Sequence, residues 1–342
     1  MGSKIFLTGA TGYIGGTVLD AITTTHPEYK VTVLLRTVPG AFSSRYPNVK
    51  IVKGDYDSID IITDTASEVD VVVHNGNSDH EPSLKAIIAG LLRRATPSYL
   101  IHLSGTGIVS DFRDPTYLGT LNPKIWSDIN DLDSISSLPD NALHRNTETI
   151  IREAAALHGD KLKTAIVCPP DLYGEGKGTG RTRSVLVPWF FGEAKKQAGG
   201  GRVFYTGDGT NTRSWVHIDD LMTIYVKLVK AAVSRDEGAG WGEKGYYFAS
   251  SQEVSQIDLA KATGQILKKQ GVIQNEEPIE VSLEHIDSML QEINYSNISR
   301  YLFASNSRTR ADRALRLFGY EPKAPTLMET LEADILSALE ED

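Results

Sequence analysis

The chain has 342 residues, 40% of them hydrophobic and 23% charged, with a formal net charge of −9. That length and balance suit one large or two small globular domains whose core needs no covalent staples. The acidic balance argues against nucleic acid as the main partner, since phosphate binding needs a basic face, and the single cysteine, Cys168, excludes an intramolecular disulfide.

No apolar stretch approaches 18 residues, so no membrane-spanning helix is expected. A strand pattern begins at Lys4 and leaves no room for a signal peptide. Gly2 invites a myristoylation reading, but Phe6 stands where a Ser or Thr is needed. A cytoplasmic chain with no membrane partner and no metal site is expected.

In chain order, "KIFLT" at 4–8, "KVTVLLR" at 30–36, "VKIV" at 49–52, "DVVVHN" at 70–75, "YLIHLS" at 99–104 and "KTAIVCP" at 163–169 read as strands. They are β-branched and almost continuously apolar, as strands covered on both faces must be. Helical periodicity fills the gaps: Tyr13 to Thr25, Ser58 to Ser67, Glu81 to Arg94 and Asn141 to His158. Strand alternating with helix predicts an α/β Rossmann fold: a doubly wound parallel sheet of about seven strands joined by right-handed crossovers. After Pro170 the rhythm changes. A glycine-rich basic loop at 173–183 and a mixture of turns and short strands at 199–221 lead to a helix at 218–234, and helical patterns follow at 255–270, 308–318 and 326–339. The predicted division is a cofactor-binding core over 1–170 and a smaller C-terminal α/β substrate-binding portion over 171–342, with the 218–234 helix packing back on the core.

"LTGATGYIGG" joins the first strand to the first helix. Gly9 permits a tight turn, Gly12 lets a diphosphate approach the backbone, and Gly15 lets helix and strand pack closely. Thr11, Tyr13 and Ile14 fill this turn at a helix N-terminus, where N–H groups and dipole favour an anion. This is the arrangement of a dinucleotide site. The second strand ends in Arg36 rather than an acidic residue, which favours a 2′-phosphate and therefore NADP (NADPH). Asp55 and Tyr56 after the third strand suit the adenine, with a helix cap at Asp55 or Asp57 as the competing reading. Asn75 and Gly76 end the fourth strand, where Gly76 lets the chain pass close to the cofactor riboses.

Three further stretches carry a resemblance: "PPDLYGEG" at 169–176, "GDGTNTRSWVHIDDL" at 207–221 and "TRADRALRLFGYEPKAPTLMETL" at 309–331. With the glycine turn, they resemble the extended short-chain dehydrogenase/reductases, the NAD-dependent epimerase/dehydratase superfamily. That resemblance implies that Pro169, Pro170, Leu172 and Tyr173 lie beside the nicotinamide. It also implies that Arg213 contacts a substrate phosphate; Asp171 and Arg181 are read as further substrate-binding residues. The family places a Ser or Thr after the fifth strand, here Ser104 and Thr106, and Tyr-x-x-x-Lys on the next core helix. "SLPDNALHRNTETII" at 137–151 holds neither tyrosine nor lysine. Anchored on Glu148, the alignment puts Asp140 and His144 in their places, and the resemblance shifts to the atypical, NmrA-like branch.

Asp140 and His144, four residues apart, would share a helical face and form an acid–base pair. The competing reading makes Asp140 the helix N-cap and gives His144 only a hydrogen bond to the cofactor ribose. Tyr117 in the long 105–139 loop is a rival acid. Arg213 either meets a substrate phosphate or pairs with Asp219 or Asp220. The basic run Lys177, Arg181 and Arg183 either meets an anion or is a solvated face. His217 is read as structural and Cys168 as a buried, inert thiol. Two functions stay open. One is an NADP(H)-dependent reductase, or an isomerase or epimerase with bound NADP, acting on a small oxygenated molecule. The other is a non-catalytic NADP sensor of the NmrA-like type. The first predicts an open pocket lined by 104–117, 144 and 170–183, the second a collapsed one. The resemblance also implies a homodimer through helices that flank the cofactor.

Overall fold

The computed structural model describes residues 3–293 and 295–340, so Gly2 lies outside the described residues. Seven parallel strands form one sheet in the spatial order Tyr246–Phe248, Leu162–Cys168, Ser98–Leu103, Val71–His74, Lys4–Thr8, Lys30–Leu35 and Lys50–Lys53. The order reverses direction between Lys4–Thr8 and Val71–His74, whose last residues, Thr8 and His74, are in register. This is the doubly wound α/β fold, and its ligand crevice lies at that reversal, beyond the carboxyl ends of the strands.

The strands are apolar throughout because successive side chains enter different cores. Ile5, Leu7, Val71, Val73, Ile101 and Val167 pack against the helices Tyr13–Thr25 and Ile218–Ser234. Phe6, Val72, Leu100 and Ile166 pack on the other face against Ile59–Ser67, Glu81–Leu92 and Arg145–His158. Fully burying one such side chain contributes roughly 1.5–3 kcal/mol before entropy is charged against it.

A third core belongs to the C-terminal half, built on Phe190, Phe204, Trp215, Phe303 and Leu331. Three short strands, Gln252–Ser255, Thr212–His217 and Asp171–Tyr173, tie it together. The division at 170 is crossed twice. The Ile218–Ser234 helix returns to the first core as expected, and the seventh strand, Tyr246–Phe248, also comes from the C-terminal half.

Most sequence-read elements stand within a residue or two of their predicted bounds. The helix predicted from Asn141 begins instead at Arg145, and 308–318 divides into a strand at Thr309–Arg310 and a helix at Asp312–Phe318. Among the described residues, no helix is long and apolar enough to cross a membrane.

Candidate active site

The glycine turn is held by close backbone approach. Gly9 has φ +78°, and a Cβ there would stand 2.1 Å from the Asn75 carbonyl oxygen. A Cβ on Gly15 would stand 2.3 Å from the Gly9 carbonyl. Gly12 caps the first helix and meets nothing tighter than 3.3 Å. The first amide of this helix to find a backbone acceptor is that of Gly16, on the Gly12 carbonyl at 2.8 Å. The N–H groups of Tyr13, Ile14 and Gly15 have none among the described residues. Three free amides at a helix start make a cradle fit for a diphosphate.

Arg36 ends the neighbouring strand, exposed and close enough to favour ionisation of the Tyr56 phenol, which burial pushes up. A Cβ on Gly76 would come 2.6 Å from the Tyr56 ring, so this glycine seats Tyr56. Asp55 spends one carboxylate oxygen on the turn ahead of the third helix, accepting from Asp57 N at 3.1 Å and Ser58 Oγ at 2.8 Å. That is the capping role weighed above, although Ser58 itself occupies the N-cap. The Asn75 side chain turns into the core, where Oδ1 accepts from the Tyr225 hydroxyl at 2.7 Å. Its buried Nδ2 has no hydrogen-bond partner among the described residues.

Ser104 follows the fifth strand as expected, but its hydroxyl donates to Glu148 Oε1 at 2.6 Å, and it is 5% exposed. Glu148 is wholly buried and also accepts from Tyr246 OH and Cys168 Sγ. Burial raises its carboxyl above the usual range, opposed by the Ser104 hydrogen bond and the Arg152 charge. Burial likewise pushes up the Cys168 thiol, so it is no nucleophile. Thr106 is pinned through its backbone: its N–H donates to Pro169 O at 3.0 Å and its carbonyl accepts from Ser307 Oγ at 2.8 Å. Thr106 is 2% exposed, and its hydroxyl makes no hydrogen bond among the described residues.

His144 and Asp140 do not share a helical face. Asp140 sits exposed in a turn, and His144, at φ +62°, is the N-cap of Arg145–His158. A left-handed non-glycine residue costs on the order of 1–3 kcal/mol and persists where its surroundings over-determine it. Here they do: His144 Nδ1 bonds Asp79 Oδ1 at 2.8 Å, with Ser78 Oγ at 3.4 Å. The carboxylate that orients His144 is therefore Asp79, not Asp140. The far side of the imidazole faces the strand end, since a Cβ on Gly105 would come 3.0 Å from Nε2.

Tyr301 was not anticipated. Its phenol oxygen would stand 3.0 Å from a Cβ on Gly107, beside Leu143, and its ring lies 4.5 Å from the Arg213 guanidinium. Burial raises this phenol, and Arg213 works against the rise. No motif marks it, because it belongs to a six-residue helix, Ile298–Phe303, remote in sequence. Tyr117 lies half-buried in a one-turn 3₁₀ segment, Pro115–Tyr117, with its carbonyl bonded to Asn306 Nδ2.

Three expectations need correction. Arg213 pairs with neither Asp219 nor Asp220 but with Asp171, by a two-point contact of 2.5 and 3.0 Å, and also donates to Tyr301 O and Ser305 Oγ. Asp219 instead holds Lys177, and Asp220 accepts from the Lys323 and Ala324 amides. Tyr173 is held within the C-terminal half rather than left open to a ligand: its buried hydroxyl donates to Pro325 O and accepts from Gln252, and its ring packs edge-on to Trp215 and His217. The glycine-rich loop does not stand over the 104–117 segment: its Arg181 amide bonds the Thr11 carbonyl in the glycine turn, at 2.9 Å. His217 is structural as read, capping its helix by accepting from Asp219 N. A cavity of about 300 Å³ at the base of the loop is lined by Gly174, Arg183, His217 and Asp334, with no residue of 104–117 or His144, so it is not the open pocket that the enzyme reading predicts. Pro169, Pro170 and Leu172 follow the sixth strand, and Pro169 O accepts from the Thr106 amide.

With this geometry in hand, the comparisons with known proteins define the class. The NmrA-like family model matches residues 1–99, and that of the NAD dependent epimerase/dehydratase family matches 143–240. The chain belongs to this epimerase/dehydratase superfamily of extended short-chain dehydrogenase/reductases. Within it, the chain is similar along nearly its whole length to Oxidase ucsJ of Acremonium sp., at 31% identity over 344 residues covering 97% of this chain and 96% of that protein. An uncharacterized protein of Saccharomyces cerevisiae is 27% identical over 266 residues, 77% of this chain and 80% of its own length. Among solved structures, the PbgP3 protein of Burkholderia pseudomallei superposes with a TM-score of 0.67 at 14% identity, over 100% of this chain and 97% of that one. The dTDP-glucose 4,6-dehydratase DesIV of Streptomyces venezuelae does so at 0.64 and 17% identity, over 99% and 97%. These structural likenesses establish the fold.

Proposed function

We propose that this chain is an NADP(H)-dependent oxidoreductase of the short-chain type, acting on a small oxygenated molecule by reduction or oxidation, or by isomerisation with NADP retained. The observation that carries the proposal is the Asp79–His144 pair, 2.8 Å apart, with the imidazole turned toward the Gly105–Thr106 corner at the carboxyl end of the fifth strand. The oxidase name of the full-length relative supports redox chemistry. Exposed Arg36 at the end of the second strand supports a 2′-phosphate and so NADP over NAD.

The free amides of Tyr13, Ile14 and Gly15 would hold the diphosphate, and Arg36 and Tyr56 the adenosine end. When bound, the nicotinamide gives or takes a hydride. The protein's part is acid–base and positional. Thr106 donates its hydroxyl to the substrate oxygen. His144, as the imidazolium, gives that oxygen its Nε2 proton in reduction, or, as the neutral imidazole, takes the proton on Nε2 in oxidation. Asp79 fixes the tautomer by accepting from Nδ1. Tyr301, beside Gly107, is a second protic group on the same corner. The NmrA-like match covers residues 1–99, which include the glycine turn and Arg36, and supports cofactor binding.

The test is binding, then turnover. NADPH and NADH are titrated by fluorescence against wild type and Arg36→Ala, and carbonyl compounds are screened by NADPH absorbance with wild type and His144→Ala. NADPH binding that Arg36→Ala weakens, with turnover that His144→Ala abolishes, supports the reading. Absence of binding to either nucleotide at micromolar concentration refutes it.

A further inference from the structure

The segment Gly174 to Arg183 is bound to the glycine turn rather than to the substrate corner. The Tyr13 hydroxyl donates to Gly174 O at 2.6 Å. The Lys177 amide donates to Thr17 Oγ1 at 3.1 Å, and the Arg181 amide to Thr11 O at 2.9 Å. The Gly176 amide closes the segment on itself by donating to Thr182 O at 2.7 Å.

The glycines of the loop make this approach possible. A Cβ on Gly178 would stand 2.9 Å from the Gly16 Cα, and one on Gly180 only 2.1 Å from Thr11 O. Backbone therefore lies on backbone at Thr11 and Gly16, and the Tyr13 and Thr17 side chains bond the loop between and beyond them. Thr11 immediately precedes the N-cap Gly12, and the unbonded amides of Tyr13, Ile14 and Gly15 follow it.

The charges of the loop are unequally committed. Lys177 is paired with Asp219 at 2.7 Å. Arg181 is exposed, has no acidic partner among the described residues, and spends only Nε, on the Arg183 carbonyl at 3.1 Å. It is also close enough for its charge to oppose the rise of the Tyr13 phenol, which burial dominates. A guanidinium anchored by its own backbone next to a diphosphate cradle has the fork geometry that phosphate oxygens accept.

We propose that residues 174–183 form a clasp over the cofactor diphosphate, with Arg181 as its charged contact and a brake on cofactor release. The inference rests on the reading above that the turn holds a nicotinamide dinucleotide. It moves Arg181 from the substrate to the cofactor, and it separates two phosphate readers: Arg36 for the 2′-phosphate and Arg181 for the diphosphate.

The test uses equilibrium titration and stopped-flow chase of NADPH, with no turnover involved. The ligands are NADPH, NADH and 2′-AMP, which lacks a diphosphate. The proteins are wild type, Arg181→Ala, Arg181→Lys, Gly180→Ala and Arg36→Ala, each checked for an unchanged apo melting temperature. Arg181→Ala is expected to weaken NADPH and NADH alike by about tenfold or more, as loss of one charge-assisted hydrogen bond requires, and to leave 2′-AMP unchanged. Arg181→Lys recovers part of the loss. Gly180→Ala, which lifts the loop from Thr11, releases NADPH faster with Arg181 intact. Arg36→Ala shows the opposite selectivity, weakening NADPH and 2′-AMP but not NADH. If wild type binds and Arg181→Ala binds NADPH and NADH within twofold of it, the clasp is overturned and the proposed function stands. An equal loss for 2′-AMP overturns the diphosphate assignment. If wild type binds no nucleotide, both proposals fall together.

Discussion

Removing the carboxylate of Asp171 strands the Arg213 guanidinium in the C-terminal core. Arg213 is 4% exposed, and two of its five N–H donors lie on Asp171, at 2.5 and 3.0 Å. In Asp171→Ala the contacts to Tyr301 O and Ser305 Oγ survive, but the cation is left uncompensated away from water. Breaking a buried pair from one side costs about 3–5 kcal/mol, whereas replacing both partners with apolar groups is close to neutral. Asp171→Ala should therefore destabilise by about that amount, and Asp171→Ala combined with Arg213→Met should recover most of it. The assay is urea unfolding followed by tryptophan fluorescence, for which Trp215, buried two residues along the same strand, is a local reporter. A cost below about 1 kcal/mol for the single variant, or no recovery in the double, refutes the reasoning. It would mean that the pair opens in solution and that Arg213 is free for a substrate phosphate.

Gly9→Ala should abolish nucleotide binding and lower the melting temperature, because φ +78° and a Cβ 2.1 Å from Asn75 O cannot both be accommodated; unchanged NADPH affinity sinks the glycine-turn argument. Asp79→Asn should reduce kcat at least tenfold with nucleotide affinity unchanged, since it disturbs the tautomer of His144; equal turnover by the variant removes Asp79 from the mechanism. Tyr301→Phe distinguishes the second protic group: a kcat within twofold of wild type makes Tyr301 a packing residue. Burial holds the His74 imidazole down at about 4, against an ordinary value of about 6.5. Below pH 6.5 the unfolded chain then binds the extra proton, so stability is lost as pH falls toward 4, by up to about 1.4 kcal/mol per unit. Between pH 6.5 and 5, His74→Asn should lose about 1.5 kcal/mol less stability than wild type, and parallel pH profiles of unfolding would contradict this.

What could be read from the sequence alone is what short-range patterning dictates. Apolar β-branched runs alternating with helical periods specify a parallel sheet, and the first strand, the first helix and the 218–234 helix agree with Lys4–Thr8, Tyr13–Thr25 and Ile218–Ser234. The glycine turn was legible for the same reason, since the steric demand at Gly9 and Gly15 comes from neighbours on the same strand–turn–helix unit and the adjoining strand. The seventh strand was not, because Tyr246–Phe248 has only three residues and draws its stability from pairing with Leu162–Cys168.

The site was decided by contacts between residues far apart in the chain. Pro139-Asp140 has the local signature of a helix start, yet the helix waits for His144, which Asp79, 65 residues away, holds by its ring nitrogen. The Ser104 hydroxyl is bonded to Glu148, and Arg213 is claimed by Asp171 rather than by the carboxylates nearest in sequence. The loop at 174–183 lies on a helix 160 residues earlier because glycines on both sides let two backbones meet. Local sequence sets which conformations and charges are available. Which carboxylate meets which cation in a place where water cannot compete is settled only when the chain is packed, because an unpaired buried charge costs more than any local propensity returns.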